Sequence, residues 1–185
     1  RFMNLLGSPN NMGIGQICWN VNVLMNIITC GGAIESNILP GYTGCTLLWG
    51  TNPAESDNSL FWSMILSLKR TDTSLVVVDP RRTSAAKQAD VHLELMPGTD
   101  VTLALGIIRE LFVRGAVDQE FLDTWCLGVD ELKEHVEPYT PSYIEQICKI
   151  PIQTFHKAVD HISKSPLAIH TGRGIDQLAQ DTEAI

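Results

Sequence analysis

The sequence lacks the closely spaced cysteine pairs on which most zinc and iron–sulfur sites depend. Its 185 residues include five cysteines, none of them in a Cys-x-x-Cys arrangement: Cys18, Cys30, Cys45, Cys126 and Cys148. Because such sites usually draw two thiolates from one tight turn, we predict neither site within this chain. The small number and wide scatter of the cysteines also argue against a disulfide-stapled secreted domain.

Positive charge and long apolar runs are also scarce. Thirteen lysines and arginines stand against 21 aspartates and glutamates, which gives a formal net charge of −8. This charge argues against nucleic acid or an anionic membrane surface as the main partner. No apolar run reaches the roughly 18 to 20 residues that span a bilayer, so we expect no direct membrane insertion.

Several signatures of other enzyme classes are missing as well. The chain has no Gly-x-Ser-x-Gly elbow, no Walker loop and no paired-carboxylate hydrolase pattern. A nicotinamide-dependent dehydrogenase would carry Gly-x-Gly-x-x-Gly directly after its first strand, and Gly50-Thr51-Asn52-Pro53-Ala54-Glu55 does not match that pattern. A dehydrogenase of this class is therefore disfavoured.

What the chain does contain is two short apolar runs, each followed by a loop of small and polar residues. Cys45–Trp49 leads into Gly50–Ser56, and Ser74–Val78 leads into Asp79–Arg82. Parallel strands end at the edge of the sheet where helices begin, so loops of this kind form nucleotide sites there. The pattern predicts cofactor binding at that edge.

The alternation of apolar strands with helical patterns predicts an α/β, Rossmann-like three-layer domain with a mostly parallel sheet flanked by helices. Further strands are expected at Val91–Leu95 and Leu167–His170. Helices are expected at Cys18–Ile28, Asn58–Lys69, Ser84–Ala89, Asp100–Val113, Asp118–Cys126, Val129–Val136, Pro141–Ile147 and Pro151–Ser163.

Taken together and in this order, the loops resemble the molybdopterin oxidoreductase family, the dimethyl-sulfoxide-reductase-like enzymes that bind bis(molybdopterin guanine dinucleotide). Tyr139-Thr140-Pro141 also fits the linker of that family. The matching loops are Gly50–Ser56, Val78–Arg82 with Ala89-Asp90, Pro97–Asp100, and Gly172-Arg173-Gly174 with Gln177. One such motif is weak evidence, whereas four at family-like spacing are strong evidence.

The resemblance implies a molybdenum-dependent oxidoreductase that carries out two-electron redox chemistry by oxygen-atom or sulfur transfer. Family catalytic chains are several times longer, so we expect an internal piece that is inactive alone. An iron–sulfur cluster is expected only in the missing parts of the parent chain. The implied partners are the rest of the catalytic subunit and an iron–sulfur electron-transfer subunit.

The resemblance also divides the chain into three parts. Residues 1–44 would form a loop and helix segment around the metal ligand, and residues 45–165 the Rossmann-like domain that binds molybdopterin guanine dinucleotide. Residues 166–185 would begin the next nucleotide-binding lobe with a strand and a glycine-rich loop. The implied cofactor-binding residues are Trp49, Gly50, Thr51, Asn52, Pro53, Glu55, Ser56, Val78, Asp79, Pro80, Arg81, Arg82, Gly98, Thr99, Asp100, Arg173 and Gln177.

Several of these residues have a physical role that can be stated separately. Gly50 lets the backbone approach a pyrophosphate, and Asn52 either orients its loop or donates to phosphate or ribose. Asp79 ends a strand where an acidic side chain accepts from ribose hydroxyls, and it would otherwise only terminate that strand. Either Arg81 or Arg82 supplies a bidentate charge to phosphate or stacks on the base.

Asp100 has two interpretations. Its carboxylate can accept two hydrogen bonds from the ring N–H and the exocyclic amine of guanine, which would select guanine over adenine. Alternatively, Asp100 or Thr99 serves only as the cap of the following helix.

Cys18 occupies the family position of the molybdenum ligand, upstream of the first nucleotide loop, and is the predicted catalytic residue. A thiolate is a soft ligand that suits a sulfur-rich molybdenum centre. The alternatives are a buried free cysteine at Cys18, or Cys30 as the ligand. Trp19 follows Cys18 where formate dehydrogenases of the family usually place His, so formate oxidation is disfavoured.

The substrate stays open among an oxyanion, a sulfur compound and, in a non-redox variant, an alkyne to be hydrated. A non-catalytic structural module also stays open, like the respiratory complex I subunit that resembles this family without binding molybdenum. A module without the cofactor would not need residues that bind it. The chain retains such residues in its loops, which argues against this alternative: Asn52, Asp79, Arg81, Asp100 and Gln177.

Overall fold

Four parallel strands form the sheet of this protein, seen in a computed structural model that describes residues 2–9, 20–32, 41–56, 61–68 and 70–176. The strands are β1 (Cys45–Trp49), β2 (Ser74–Val78), β3 (Val91–Leu93) and β4 (Leu167–Thr171). Their order in the sheet is β3-β2-β1-β4, and every neighbouring pair is parallel. The predicted α/β class with a parallel sheet is confirmed.

Helices connect and cover these strands. Within the described residues they are α1 (Phe2–Leu5), α2 (Asn20–Cys30), α3 (Pro53–Ser56), α4 (Phe61–Leu68), α5 (Asp100–Val113), α6 (Gln119–Trp125), α7 (Val129–Val136), α8 (Pro141–Cys148), α9 (Ile152–Ile162) and α10 (Arg173–Asp176), with a 3₁₀ turn at Ala86–Gln88. None of these helices has both the length and the apolar character that crossing a membrane requires.

The two central strands are apolar along nearly their whole length because helices cover both faces of the sheet. All five residues of β1 and of β2 are buried. One face packs against α5, α8 and α9, where Phe155 lies fully buried among strand and helix side chains. The other face packs against α4 through Ile65 and Leu68. Parallel sheets covered on both faces show this continuous apolar pattern.

Within the described residues, the bounds of the predicted strands and longer helices agree with the structure to within a few residues. Helix α3 (Pro53–Ser56) lies in a segment predicted as a loop, and the predicted helix Ser84–Ala89 is only the 3₁₀ turn Ala86–Gln88. The largest difference in a strand is at β3, which ends at Leu93 and not at Leu95. The carbonyl of Leu93 accepts from the amide of Asp79, whereas the amide of Met96 donates to Cys148 at the end of α8. The chain therefore leaves the sheet after Leu93 and turns towards α8.

The strand order reverses next to β1. The chain runs outward from β1 to β2 and β3, then returns through α5 to α9 to place β4 on the other side of β1. In open parallel sheets, ligands bind beyond the carboxyl ends of the strands at such a reversal. The loops after β1 and β4 meet there, since Gly172 donates its amide to Trp49 at 2.8 Å and Gly174 donates to Gly50 at 3.3 Å.

Candidate functional site

Two adjoining cavities lie at the carboxyl edge of the sheet, and they share Gly50, Arg81 and Gly174. The larger cavity, about 500 Å³, is lined by Gly50, Thr51, Asn52, Glu55, Ser56, Arg81, His170, Thr171, Gly172 and Gly174. The smaller cavity, about 170 Å³, is lined by Gly50, Val78, Asp79, Pro80, Arg81, Leu95, Pro97, Asp100 and Gly174. Loops that are far apart in the sequence thus line a continuous region.

Asn52 places a buried and unpartnered amide in the wall of the larger cavity. Its backbone carbonyl accepts from the amides of Glu55 and Ser56, which begins helix α3. Its side chain is different: Nδ2 and Oδ1 are both buried and make no hydrogen bond within the described part of the chain. Burying an amide without partners costs free energy, so a polar ligand at this position would satisfy groups that the other described residues leave unpaired.

Gly50 lets the chain turn sharply between β1 and this loop. Its φ of +58° lies in the left-handed region that glycine adopts without strain. Its amide donates to the carbonyl of Val78 at 2.9 Å, which ties the turn to the end of β2. A Cβ at this position would lie 3.1 Å from Cγ1 of Ile175, so the loops also pack closely here.

Asp79 is buried at the end of β2, where its carboxylate organises the next loop. Its Oδ1 accepts from the amide of Arg81 at 2.8 Å and lies 3.6 Å from Nε of the same residue. The Arg81 side chain is 71% exposed, so its guanidinium lies at the mouth of the two cavities and largely in solvent. On the backbone side, the carbonyl of Asp79 accepts from Nε2 of His92 at 2.8 Å.

Asp100 is held by a tryptophan and does not cap helix α5. The cap position belongs to Thr99, whose side chain makes no capping hydrogen bond. The Thr99 hydroxyl donates instead to the carbonyl of Met96 at 2.7 Å. The indole Nε1 of Trp49 donates to Oδ1 of Asp100 at 2.7 Å, and both residues are buried. Thr99 therefore occupies the cap position, as one alternative predicted, although only its backbone carbonyl takes part, whereas the interpretation of Asp100 as the cap is wrong.

Behind this carboxylate lies a neutral thiol. Cys148 is fully buried, and its Sγ donates to the carbonyl of Thr99 at 3.7 Å. Burial raises the pKa of the Cys148 thiol above its ordinary value, and the carboxylate of Asp100 acts in the same direction. The thiol therefore stays protonated and serves as a weak donor beneath the start of α5.

Several residues predicted to bind the cofactor do not line either cavity. Arg82 is exposed, Gly98 adopts a φ of +87° in the turn before α5, and Pro53 is buried as the first residue of α3. Arg173 belongs to α10, which follows β4, while Cys18 and Gln177 lie outside the described residues. Their predicted roles stay predictions, as does the remainder of the predicted site.

The sequence reasoning missed two features of this edge. Gly174 lines both cavities, although only its neighbours Arg173 and Gln177 were assigned to the cofactor. The matching loop Gly172-Arg173-Gly174 contains it, but the glycine itself was not included among the implied cofactor-binding residues. The hydrogen bond from Trp49 to Asp100 was also missed, because the two residues lie 51 positions apart.

The described residues contain no group of three or more His, Cys, Asp or Glu side chains that would hold a metal ion. Cys30, the rival to Cys18, lies exposed at the end of α2 with its Sγ 3.5 Å from the hydroxyl of Thr29.

Comparison with known proteins gives a consistent result. A family model described as molybdopterin oxidoreductase matches residues 42–185. Acetylene hydratase of Syntrophotalea acetylenica is 34% identical over 187 residues, which cover 100% of this chain and 25% of that protein. F420-dependent formate dehydrogenase 2 subunit alpha of Methanococcus maripaludis is 31% identical, over 82% of this chain and 21% of that protein.

Two further relatives extend the comparison. The assimilatory nitrate reductase catalytic subunit of Bacillus subtilis is 28% identical, over 78% of this chain and 20% of that protein. The solved structure of acetylene hydratase from Pelobacter acetylenicus superposes with a TM-score of 0.82 at 34% identity, covering 95% of this chain and 24% of that one. The chain therefore spans a quarter or less of the length of these relatives.

Proposed function

We propose that the carboxyl edge of the sheet holds the guanine nucleotide half of one molybdopterin guanine dinucleotide. The chain belongs to the molybdopterin oxidoreductase family. The parent enzyme would hold two such dinucleotides around molybdenum. The observation that carries the proposal is the pair of adjoining cavities, one walled by an unpartnered buried amide and the other by two buried carboxylates.

The larger cavity suits the phosphate and ribose part of the nucleotide. Asn52 offers both a donor and an acceptor that no other described residue engages, and Gly50 lets the backbone approach closely. Arg81 supplies a positive charge at the junction of the two cavities, where it would face the pyrophosphate. Arginine binds phosphate oxygens in a bidentate geometry, which favours this role over a purely solvated charge.

The smaller cavity suits the base. Asp100 presents a buried carboxylate to it, and Leu95, Pro97 and Val78 provide apolar contact for the ring. Guanine carries adjacent N–H donors on its ring nitrogen and exocyclic amine, which match the acceptors of a carboxylate. Asp79 has one oxygen engaged by Arg81 and lies at the strand end where a ribose hydroxyl is usually bound.

When bound, the molybdenum cofactor supplies two-electron redox chemistry, and the residues of this chain bind and orient it. Cys18 is proposed as the thiolate ligand of the metal, outside the described residues. Electrons would leave through an iron–sulfur cluster elsewhere in the parent enzyme, which makes the rest of the catalytic subunit and an iron–sulfur subunit the proposed partners.

The test is to purify the parent catalytic chain and measure bound molybdenum together with the nucleotide released by acid hydrolysis. We expect about two GMP per molybdenum, the ratio of a bis-guanine-dinucleotide centre. The variant Asp100→Ala should lower both values while the protein stays folded. The matched control is Asp72→Ala, an exposed carboxylate outside both cavities, which should leave both values unchanged. A folded parent chain with neither molybdenum nor GMP would contradict the proposal and support a non-catalytic structural module.

Alkyne hydration is a second candidate reaction, favoured by one observation. Acetylene hydratase aligns with 100% of this chain, whereas the formate dehydrogenase and nitrate reductase align with 82% and 78%. Hydration of acetylene yields acetaldehyde without net redox change. Acetaldehyde production from acetylene by the parent enzyme would favour this reaction, while reduction of an oxyanion or sulfur compound would favour the redox alternative.

A further inference from the structure

We propose that Trp49 is a positioning residue that sets the base selectivity of this site by fixing the carboxylate of Asp100. The inference rests on the proposed function, since it concerns how the same site distinguishes one base from another. The resemblance implies that Trp49 contributes to cofactor binding, but it assigns the indole no contact and no role in base selectivity.

The two residues are held by different parts of the framework. Trp49 is the last residue of β1, and its side chain lies in the core formed with α5, α8 and α9. Asp100 is the first residue of α5. Each is 7% exposed, and the 2.7 Å bond between Nε1 and Oδ1 joins the end of a central strand to the start of a helix. A buried bond between two rigid elements leaves the carboxylate little rotational freedom.

The chemistry of the indole suits this role. An indole N–H can only donate, and a carboxylate oxygen has two lone pairs. Trp49 therefore occupies one acceptor direction of Oδ1 and leaves Oδ2 and the other direction of Oδ1 to a ligand. It also fixes the plane in which those acceptors lie, and Asp100 is one of the residues that line the smaller cavity.

Two acceptors fixed in one plane distinguish the purine bases. Guanine offers two adjacent donors along one edge, whereas the corresponding edge of adenine pairs a donor with an acceptor nitrogen. A site built to accept two hydrogen bonds strongly disfavours a base that leaves one of its buried groups unpaired. A carboxylate free to rotate would still accept a hydrogen bond from one donor of the base. It would discriminate poorly between a base with the second donor and a base without it.

The experiment compares GDP, IDP and ADP binding to the cofactor-free parent catalytic chain by calorimetry. IDP keeps the ring N–H of guanine and lacks the exocyclic amine. The GDP-to-IDP affinity ratio therefore measures how much the hydrogen bond from the exocyclic amine contributes to binding. We expect GDP to bind the wild-type chain about tenfold more tightly than IDP, the effect of one hydrogen bond to a charged group.

Trp49→Phe keeps an aromatic ring and removes the N–H. We expect this variant to bind GDP more weakly and to bring the GDP-to-IDP ratio below about threefold. The matched control is Trp125→Phe, an exposed tryptophan at the end of α6, which should keep the wild-type ratio. If phenylalanine leaves the core underpacked, replacing the Trp49 indole by benzothiophene removes the N–H at nearly constant volume and gives the same comparison.

The outcomes separate the inference from the proposed function. A wild-type chain that fails to bind GDP, or binds GDP and ADP equally, would overturn the proposed function and the inference with it. A wild-type chain that prefers GDP, with a variant that keeps the same GDP-to-IDP ratio, would overturn only the role of Trp49. A merely structural role would weaken GDP and IDP equally and leave the ratio unchanged, which would also overturn it.

Discussion

Gly172 and Gly50 approach so closely that a Cβ on Gly172 would overlap the carbonyl oxygen of Gly50. The same Cβ would lie 2.6 Å from Cβ of Thr51, so neither side of the contact has room for it. This backbone contact brings the loop after β4 against the loop after β1, and the larger cavity lies between them. The close approach therefore depends on the absence of a side chain at Gly172.

The variant Gly172→Ala should destabilise the protein because the obstructing atoms belong to the backbone and to a Cβ that cannot rotate away. We expect the free energy of unfolding to fall by about 1 to 3 kcal/mol, as for other overpacked positions. The control is Gly32→Ala, since a Cβ there meets nothing within 4 Å. Urea unfolding monitored by circular dichroism measures both, and equal stability of the two variants would contradict the close contact.

The unpartnered amide of Asn52 predicts opposite effects on stability and on function. Replacing it by leucine of similar volume removes two buried polar atoms that have no partner in the described chain. We therefore expect Asn52→Leu to leave the free energy of unfolding of the cofactor-free chain unchanged or to raise it by about 1 kcal/mol. Bound GMP in the parent enzyme should fall.

The control for Asn52 is Thr46→Val. The hydroxyl of Thr46 is also buried without a partner among the described residues, but Thr46 is the second residue of β1 and lines neither cavity. Thr46→Val should therefore stabilise the chain by a similar amount without changing bound GMP. A marked loss of stability in Asn52→Leu would show that the amide has a structural role that the buried, unpaired geometry does not indicate.

The sheet could be predicted because its signals are local. The run Ser74–Val78 is apolar at four of its five positions and is followed by Asp79-Pro80, which ends a strand, and the structure has β2 at Ser74–Val78. Thr140 before Pro141 similarly marks the start of α8, and its hydroxyl accepts from the amide of Tyr143. These two boundaries depend on a few neighbouring residues, so local sequence patterns indicate them.

The candidate site could be predicted only in outline because its contacts span the whole fold. Trp49 meets Asp100 across 51 positions, and Gly50 meets Gly172 only because β4 pairs with β1. Both contacts depend on strand order, which no local pattern encodes. The burial that leaves Asn52 without a partner likewise arises only once the two loops pack together.

The two cysteines that compete as metal ligand can be separated by substitution in the parent enzyme. Cys18→Ala should keep the bound GMP and abolish activity, because the proposed thiolate ligand is lost while the nucleotide site stays intact. Cys30→Ala is the matched control, since Cys30 is exposed at the end of α2 and should tolerate the change. Activity of Cys18→Ala, together with loss of activity in Cys30→Ala, would assign the ligand to Cys30.

His161 lies at the opposite, amino-terminal edge of the sheet and makes the stability of the protein depend on pH. Its Nδ1 lies 2.8 Å from the hydroxyl of Ser74, which also accepts from Nζ of Lys164 at 2.9 Å. Because the ammonium of Lys164 donates, the consistent arrangement has Ser74 donating to an unprotonated Nδ1. Burial lowers the pKa of His161 below its ordinary value of 6.5, and the charge of Lys164 lowers it further.

The other charged groups near His161 act in both directions. Lys157 also lowers the pKa of His161, whereas Asp90 and Asp160 raise it, and the sum of these effects is a lowered pKa. The unfolded chain therefore binds a proton at His161 more readily than the folded chain. Stability from this group is complete above about pH 6.5 and declines as the pH falls through 6.5 towards the folded pKa.

The variant His161→Gln should remove this part of the pH dependence, because glutamine can accept from Ser74 and does not titrate. We expect the free energy of unfolding to fall less between pH 8 and pH 5.5 in His161→Gln than in the wild type. The control is His135→Gln on α7, where the histidine is exposed and should leave the wild-type dependence in place. Urea unfolding at the two pH values measures the difference, and the same decline in all three proteins would mean that His161 is as easily protonated in the folded chain as in the unfolded one.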